Sequence, residues 1–319
     1  IIYILFRNQD PVALVEKISE VDFGWVILSM IFGGWAYVNR GLRWIVLIDA
    51  LGYKSSKINS VSAVSVGYFT NMFIPRAGEI SRCTALNKVE KIPVDKLFGT
   101  ILVERLLDFV FLIILFLLIL ILKFDLILQF FTELGLQSSG SVTSSSTKYY
   151  VLVAVLLFCG LAYYLLKKWI VTTIFYEKIT EFIDGLKEGF KSIKKMKRKS
   201  FFWFHTFSIW IMYFLMTYVC FQAIPETSHL SISDGLFLLV LGGIGMVIPT
   251  PGGVGSYHAI VMIGLSVLGV GTIVLSENGD PSNPALLFPT IVHIAQTLVA
   301  IIMGFIGLLV LFLSKKKQS

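Results

Sequence analysis

Residues 109–122 have the sequence FVFLIILFLLILIL, in which every side chain is apolar. With its flanking residues this run reaches the roughly 20 residues that a helix needs to cross a hydrocarbon core of about 30 Å. Three further runs, Tyr149–Leu166, Phe201–Ile224 and Ala285–Leu313, have similar length and character. We therefore predict an all-α, multi-pass membrane protein forming a single membrane domain over residues 1–319, with about six to eight transmembrane helices.

The composition excludes an ordinary soluble globular protein. Of the 319 residues, 56% are hydrophobic and 15% are charged, and the mean hydropathy is +0.81. Soluble domains carry about 25% charged residues. The apolar residues 1–6 stop at Arg7, as the end of a helix would, so we expect that the natural chain extends further at its N-terminus.

No metal or cofactor is predicted. The three cysteines, Cys83, Cys159 and Cys220, lie far apart in apolar surroundings and form neither a disulfide framework nor a CxxC pair. The histidines lack metal-ligand spacing such as HExxH, and each is predicted to be packed or interfacial. They are His205, His229, His258 and His293. The sequence contains no nucleotide-binding GxxxxGK[ST] loop.

The basic residues predict the topology. Most of the 27 Lys and Arg residues, but only a minority of the 20 acidic residues, lie in four stretches, 36–65, 87–96, 167–200 and 315–317. Because short cytoplasmic loops are enriched in basic residues, we place these stretches, including the C-terminus, on the cytoplasmic side of the cell membrane. This placement accounts for the net charge of +7, so no nucleic-acid partner is predicted.

Two apolar stretches must then begin and end on the same side. Ser60–Asn87 starts and ends inside, whereas Asp234–Gly271 starts and ends outside and is interrupted by Pro249–Gly253. The arms of the second stretch would span only roughly 22–26 Å each, short of a full crossing. We expect two re-entrant helical hairpins that enter from opposite faces, or tightly paired helices with their turns at depth.

Two peripheral segments have simpler interpretations. Residues 137–147 are polar and of low complexity, which predicts a flexible external loop. Residues 169–199 place apolar side chains at helical spacing between Lys and Glu residues. This pattern predicts a cytoplasmic amphipathic basic helix that binds anionic inner-leaflet lipids, the alternative being a regulatory or partner-binding role.

Ionisable residues form one candidate cluster around Pro75. Arg76, Glu79 and Arg82 recur every three residues, so the helix expected after Pro75 would carry them as one ladder. Asn71 lies four residues before the break, where it would either donate to a ligand or cap the broken backbone. Since an ionisable residue inside a membrane costs about 2.5–3.5 kcal/mol on insertion scales, the cluster is a candidate functional site.

A second cluster lies in the helix that follows. Glu104 and Asp108 are four residues apart on one helix face, and Arg105 is expected to reach Asp108. Two interpretations of both clusters remain open. The arginines could offer bidentate contacts to a phosphate or carboxylate, or three arginines and three acids could form a neutral network that only fastens the hairpin to its neighbour.

The stretch Ile248–His258 forms the candidate site on the other side. Its glycines allow close backbone approach, and a helix expected to start near Gly253 would point free N–H groups at an anion. The residues in its first turn are expected either to form hydrogen bonds or simply to pack. The candidate substrate-binding residues here are Gly252, Gly253, Gly255, Ser256, Tyr257 and His258.

These motifs resemble the lysylphosphatidylglycerol synthase transmembrane-region family, which consists of flippase-like membrane proteins. The resemblance covers nearly the whole chain. Its landmarks are Arg40–Trp44, Asn71 with Pro75–Glu79 and Arg82, Glu104-Arg105 with Asp108, and Pro249 with Pro251–Gly255.

The resemblance implies a helical membrane domain with two re-entrant regions. In the multiple peptide resistance factors of this family, such a domain moves aminoacylated phospholipid between leaflets. The soluble aminoacyl-transferring domain of those proteins would follow the membrane part, and since this chain ends at Ser319 we expect no lysylphosphatidylglycerol synthesis. The chain departs from the family pattern at Tyr257-His258, where an acidic residue is frequent, and near His293 and Gln296, where an arginine is frequent.

The sequence therefore predicts a non-enzymatic protein that translocates a phospholipid or polyprenyl-linked lipid across the bacterial cytoplasmic membrane, and it leaves a homo-oligomer open. The rival hypotheses are an intramembrane lipid-modifying enzyme, with Glu79 or Glu104 as general base, and an accessory scaffold for lipid or cell-wall synthesis.

Overall fold

A computed structural model describes residues 11–133, 196–273 and 283–316, together with Tyr3 and Leu5. This part of the chain is helical, contains no β-strand and belongs to one compact unit formed by 1–134 and 196–319. Its ten α-helices are α1 (Pro11–Ser19), α2 (Phe23–Ala50), α3 (Lys57–Asn71), α4 (Ala77–Glu90), α5 (Val94–Leu122), α6 (Phe124–Glu133), α7 (Lys199–Val219), α8 (Ile232–Val247), α9 (Ser256–Val267) and α10 (Pro284–Lys316).

Three of the helices in these ranges are long and apolar enough to cross a membrane. They are α5, α10, and α7 together with the 3₁₀ turn that extends it to Ala223. The sequence prediction of helices in these three places is confirmed. The predicted helix at Tyr149–Leu166, the loop at 137–147 and nearly all of 169–199 lie outside the described residues. The total number of membrane spans stays a prediction.

The outer surface of α5 is apolar. Ile114 and Ile121 are 53% and 63% exposed, and their neighbours on the same helix are similarly uncovered. A contiguous apolar surface of this kind is unfavourable in water but matches a lipid environment. The exposure pattern therefore agrees with an integral membrane protein.

Helix termini follow local sequence signals. Asp22 caps α2, because its Oδ1 accepts a hydrogen bond of 2.9 Å from the N–H of Gly24. Ser231 and Asp234 form a reciprocal capping box at the start of α8. Pro93 immediately precedes α5 and separates it from α4. These signals fix where the helices begin in a chain with few polar residues.

Both apolar stretches singled out in the sequence form antiparallel helical hairpins. Hairpin 1 is α3 and α4 with the connection Met72–Arg76, and hairpin 2 is α8 and α9 with the connection Ile248–Gly255. Glycines bring the arms together. A Cβ added at Gly67 would lie 2.8 Å from the carbonyl oxygen of Gly78, and one at Gly245 would lie 3.0 Å from Cα of Tyr257.

Helix α10 runs past both hairpins. At its start, Oδ1 of Asn283 accepts a 3.1 Å hydrogen bond from the N–H of Thr272, just beyond hairpin 2. Near its end, Ser314 Oγ donates a 2.9 Å hydrogen bond to Oδ1 of Asn59, at the start of hairpin 1. Since α10 has 33 residues, or about 50 Å of helix, the open ends of the hairpins lie near its opposite ends.

The connections at the two hairpin tips consequently meet near the middle of α10. A Cβ added at Gly252 would lie 3.6 Å from Cα of Met72, and one at Gly304 on α10 would contact the Phe69 ring. The glycines of hairpin 2 form a 3₁₀ turn over Pro251–Gly253, so the helix expected near Gly253 begins only at Ser256. Positive φ angles at Gly252, Gly253 and Gly255 account for this delay.

The stretch Ala36–Ser65, predicted to lie on the cytoplasmic side, is not a loop in its first half. Helix α2 continues to Ala50, and Arg40 and Arg43 are buried on it. The intervening Gly41 contacts α3: Ser60 Oγ donates a 2.9 Å hydrogen bond to the Gly41 carbonyl, and a Cβ at Gly41 would lie 2.6 Å from Cα of Val61. The two helices therefore touch backbone to backbone at this point.

We expect Gly41→Ala to destabilise the protein by about 1–3 kcal/mol, because the added methyl group has to push α3 away from α2. Gly34→Ala is the matched control on the same helix, since a Cβ there meets nothing within 4 Å. It should be neutral or stabilising by about 0.5–1 kcal/mol, the helix preference of Ala over Gly. Thermal unfolding of the two purified variants in detergent measures the difference, and equal melting temperatures would contradict the close contact.

Candidate functional site

Two acids on α5 hold together the arginines of α2. Glu104 is completely buried, and its Oε1 lies 2.9 Å from Nη2 of Arg43. Asp108, one turn further along α5, lies 2.8 Å from Nη1 of Arg43 and 2.9 Å from Nη1 of Arg40. The predicted placement of Glu104 and Asp108 on one helix face is confirmed. We call Arg40, Arg43, Arg82, Glu104 and Asp108 the ion network.

Arg82 connects hairpin 1 to this ion network. Its Nη2 lies 2.7 Å from Oε2 of Glu104, and its guanidinium carbon is 4.9 Å from the centre of the Trp44 ring. The Trp44 indole in turn donates a 2.7 Å hydrogen bond to Thr100 Oγ1 on α5. Helices α2, α4 and α5 are thus joined through buried charges, and the three arginines outnumber the two acids by one.

The predicted ladder of Arg76, Glu79 and Arg82 is wrong. Helix α4 begins only at Ala77, because Arg76 has a left-handed backbone with a φ of 63° and its side chain is exposed. Glu79 pairs instead with Arg105, at 2.8 Å between Oε1 and Nη2. The predicted contact between Arg105 and Asp108 is therefore replaced by this pair. Within the described ranges, Arg76 has no ion-pair partner.

The tips of the hairpins enclose a cavity of about 520 Å³. Hairpin 1 contributes Asn71, Arg76 and Glu79, and hairpin 2 contributes its connection from Ile248 to Gly253. Helices α2, α5, α7 and α10 complete the wall. Asn71 caps the broken backbone, because its Oδ1 accepts a 2.7 Å hydrogen bond from the N–H of Gly78. This is the second of the two roles predicted for it.

Several buried polar atoms in the cavity wall have no hydrogen-bond partner among the residues that the structure describes. They are Oε2 of Glu79, Nε1 of Trp210 and both ring nitrogens of His293. A buried polar atom left unpaired costs about 1–3 kcal/mol, so such atoms are rare in folded proteins. Their concentration around one cavity gives its wall groups that could form hydrogen bonds with a polar molecule.

The first turn of α9 contains Ser256, Tyr257 and His258, as predicted, and all three are buried. Ser256 Oγ lies 2.8 Å from Thr250 Oγ1, which ties the turn to the hairpin tip. The Tyr257 ring packs beneath Gly242 on α8, and His258 Nδ1 is 3.4 Å from the N–H of Gly255. These contacts are of the packing and hydrogen-bonding kinds expected, and a substrate-binding role for this turn stays a prediction.

The sequence interpretation missed four residues of this region as site residues. The charge count places Arg40 and Arg43 only in a cytoplasmic stretch. Their spacing of three residues puts them on one helix face, from which they can reach Glu104 and Asp108 on a neighbouring helix. Trp210 gave no signal in the sequence. His293 was noticed only where the chain departs from the family pattern.

We expect Glu104→Gln to destabilise the protein by about 3–5 kcal/mol, because it leaves three buried arginines with Asp108 as their one acid within the ion network. The control is Glu133→Gln, the same chemical change on the exposed end of α6. Thermal unfolding in detergent is the measurement. If both variants unfold at the wild-type temperature, the ion network does not hold the helices together.

Comparison with known proteins agrees with these motifs. The model of the lysylphosphatidylglycerol synthase TM region family matches residues 1–304. A UPF0104 membrane protein of the archaeon Methanocaldococcus jannaschii is 23% identical, covering 93% of this chain and 88% of that protein. A UPF0104 membrane protein of Methanothermobacter thermautotrophicus is 26% identical, covering 82% and 80%.

No solved structure matches the chain. The family match covers both hairpins and the ion network, which are the parts of the sequence that first suggested the resemblance. The chain therefore belongs to the lysylphosphatidylglycerol synthase TM region family of integral membrane proteins.

Proposed function

We propose that this protein translocates a polar lipid or polyprenyl-linked lipid across the cell membrane, with the head group passing through the cavity between the hairpin tips. The observation that carries the proposal is that the two hairpin tips meet around a cavity whose wall is largely apolar and contains an arginine without an ion-pair partner in the described ranges. Membership in a family of lipid-related membrane proteins supports the same class of substrate.

The charges at the cavity favour an anionic group. Glu79 is paired with Arg105, and the arginines of the ion network are held by Glu104 and Asp108. Arg76 is left exposed at the cavity with its guanidinium available. A guanidinium makes planar, bidentate contacts with phosphate, which every phospholipid and polyprenyl phosphate carries.

The arrangement of the hairpins favours a pathway between the leaflets. We place hairpin 1 as re-entrant from the cytoplasmic face and hairpin 2 as re-entrant from the outer face, with both tips at depth. Two observations support this placement: the basic residues flanking hairpin 1, and the opposite ends of α10 at which the hairpins open. Broken helices meeting near the middle of the membrane are typical of transporter binding sites.

The contacts of the two candidate general bases weigh against the enzymatic alternative. Both oxygens of Glu104 accept from arginines, and no side of this carboxylate is exposed. Glu79 retains one unpaired oxygen, Oε2, at the cavity, so it is the residue through which a lipid-modifying reaction would have to proceed. Incubation of a labelled lipid with the protein distinguishes the hypotheses. Movement of a lipid of unchanged mass favours translocation, and a changed mass favours modification. If neither activity is found, the scaffold hypothesis is favoured.

If the hairpins enter from opposite faces of the membrane, their open ends should be accessible from opposite sides. The test uses two single-cysteine variants at exposed positions. Lys57→Cys lies at the start of hairpin 1, and His229→Cys lies just before hairpin 2. A membrane-impermeant maleimide applied to intact cells should label His229→Cys and not Lys57→Cys, while permeabilised cells should give both signals. Labelling of both variants from the same side of intact membranes would contradict the placement.

Arg76→Gln should slow translocation of a fluorescent anionic phospholipid in proteoliposomes by about tenfold or more, because one charge-assisted contact contributes about 1.5–3 kcal/mol. Arg198→Gln is the matched control, since Arg198 is an exposed arginine that does not line the cavity. Dithionite quenching of the labelled lipid reports the rate. Equal rates for wild type and Arg76→Gln would remove the arginine from the mechanism.

A further inference from the structure

Helix α10 presents a row of polar side chains to the cavity. His293, Gln296 and Thr297 all line it, and their spacing of three and four residues places them on one helix face. None of the three carries a formal charge when the imidazole is neutral. Gln296 and Thr297 form no side-chain hydrogen bond within the described part of the chain, so their amide and hydroxyl groups are available to a ligand.

His293 is the most constrained of the three. It is only 6% exposed, and in the described part of the chain neither of its ring nitrogens has a hydrogen-bond partner. The ring centres of Tyr257 and His258 lie 5.5 and 4.8 Å from that of His293. These rings pack against His293 without forming a hydrogen bond with its nitrogens. A neutral imidazole offers one N–H donor and one acceptor, which matches a hydroxyl group acting in both capacities.

Among the described residues that line the cavity, positive charges outnumber negative ones. Glu79 is the one acid among the described lining residues, whereas Arg40 and Arg105 both line the cavity. Oε1 of Glu79 is 2.8 Å from Arg105, which leaves Oε2 as its one unpaired oxygen. Arg76 adds a further positive charge at the same wall. An ammonium group on a lipid head would therefore meet like charges, which is unfavourable in a low-dielectric site.

We propose that the face of α10 formed by His293, Gln296 and Thr297 selects a head group that is uncharged and rich in hydroxyl groups, such as a sugar or cyclic polyol, joined to the lipid through a phosphate at Arg76. This inference rests on the proposed function, because it assigns the substrate class of the same cavity. Sites that hydrogen-bond a hydroxyl discriminate strongly against analogues that lack it, since their own polar groups are then left unpaired.

Native mass spectrometry of the full chain tests this selectivity in a competition between three lipids with identical acyl chains: phosphatidylinositol, phosphatidic acid and lysyl-phosphatidylglycerol. Phosphatidylinositol should bind at least about fivefold better than either competitor, the ratio expected from one net hydrogen bond. Gln296→Leu and Thr297→Val should each reduce that preference to near unity. Gln129→Leu, the same change as the first on the exposed face of α6, should leave it intact.

Two outcomes overturn the inference: lysyl-phosphatidylglycerol binding as well as phosphatidylinositol, or an unchanged preference in both α10 variants whose melting temperatures match the wild type. Translocation is measured separately in vesicles containing labelled phosphatidylinositol. If the binding preference is found but the lipid does not cross, the inference stands and the translocation proposal fails. If labelled lipids cross with no head-group preference, the translocation proposal stands and this inference fails.

Discussion

Glu104 accepts hydrogen bonds from arginines on two other helices while having no exposed surface of its own. A charge in this position is stable only while its partners remain, because an unpaired charge in a low-dielectric interior is strongly unfavourable. The ion network therefore fixes α4 relative to α2 and α5. Since α4 is an arm of hairpin 1, the network also determines where the tip of that hairpin and Arg76 lie.

The close approach of the hairpin arms has a related physical basis. Inside a membrane, helices gain little from burying apolar side chains, because lipid tails are equally apolar. Association depends instead on packing, and glycines at Gly41, Gly67 and Gly245 let backbones touch. These close backbone approaches hold the two arms of each hairpin together and thereby set the position of the tips that line the cavity.

The sequence was sufficient to predict the paired helices of both hairpins and the carboxylate pair, because apolar arm length and a spacing of four residues translate directly into structure, whereas re-entrant entry from opposite faces stays a prediction. Arg40 and Arg43 were not predicted as site residues, because counting charges on each side of the membrane treats every arginine as hydrated. Whether an arginine is buried depends on which acidic side chains lie opposite to it. The start of the helix after Pro75 was predicted one residue too early, because the sequence does not indicate that Arg76 has a left-handed backbone. The significance of His293 depends on the register of α10 against hairpin 2, which is a tertiary property.

The backbone of Arg76 has an implication for how this position can change during evolution. A non-glycine residue with a φ of 63° is held in a conformation that costs about 1–2 kcal/mol, whereas glycine adopts it freely. Stability alone would thus drive the codon toward glycine. Under the proposed function, binding of an anionic ligand by Arg76 would offset this cost, so a homologue that binds no such ligand would be expected to accept glycine at this position.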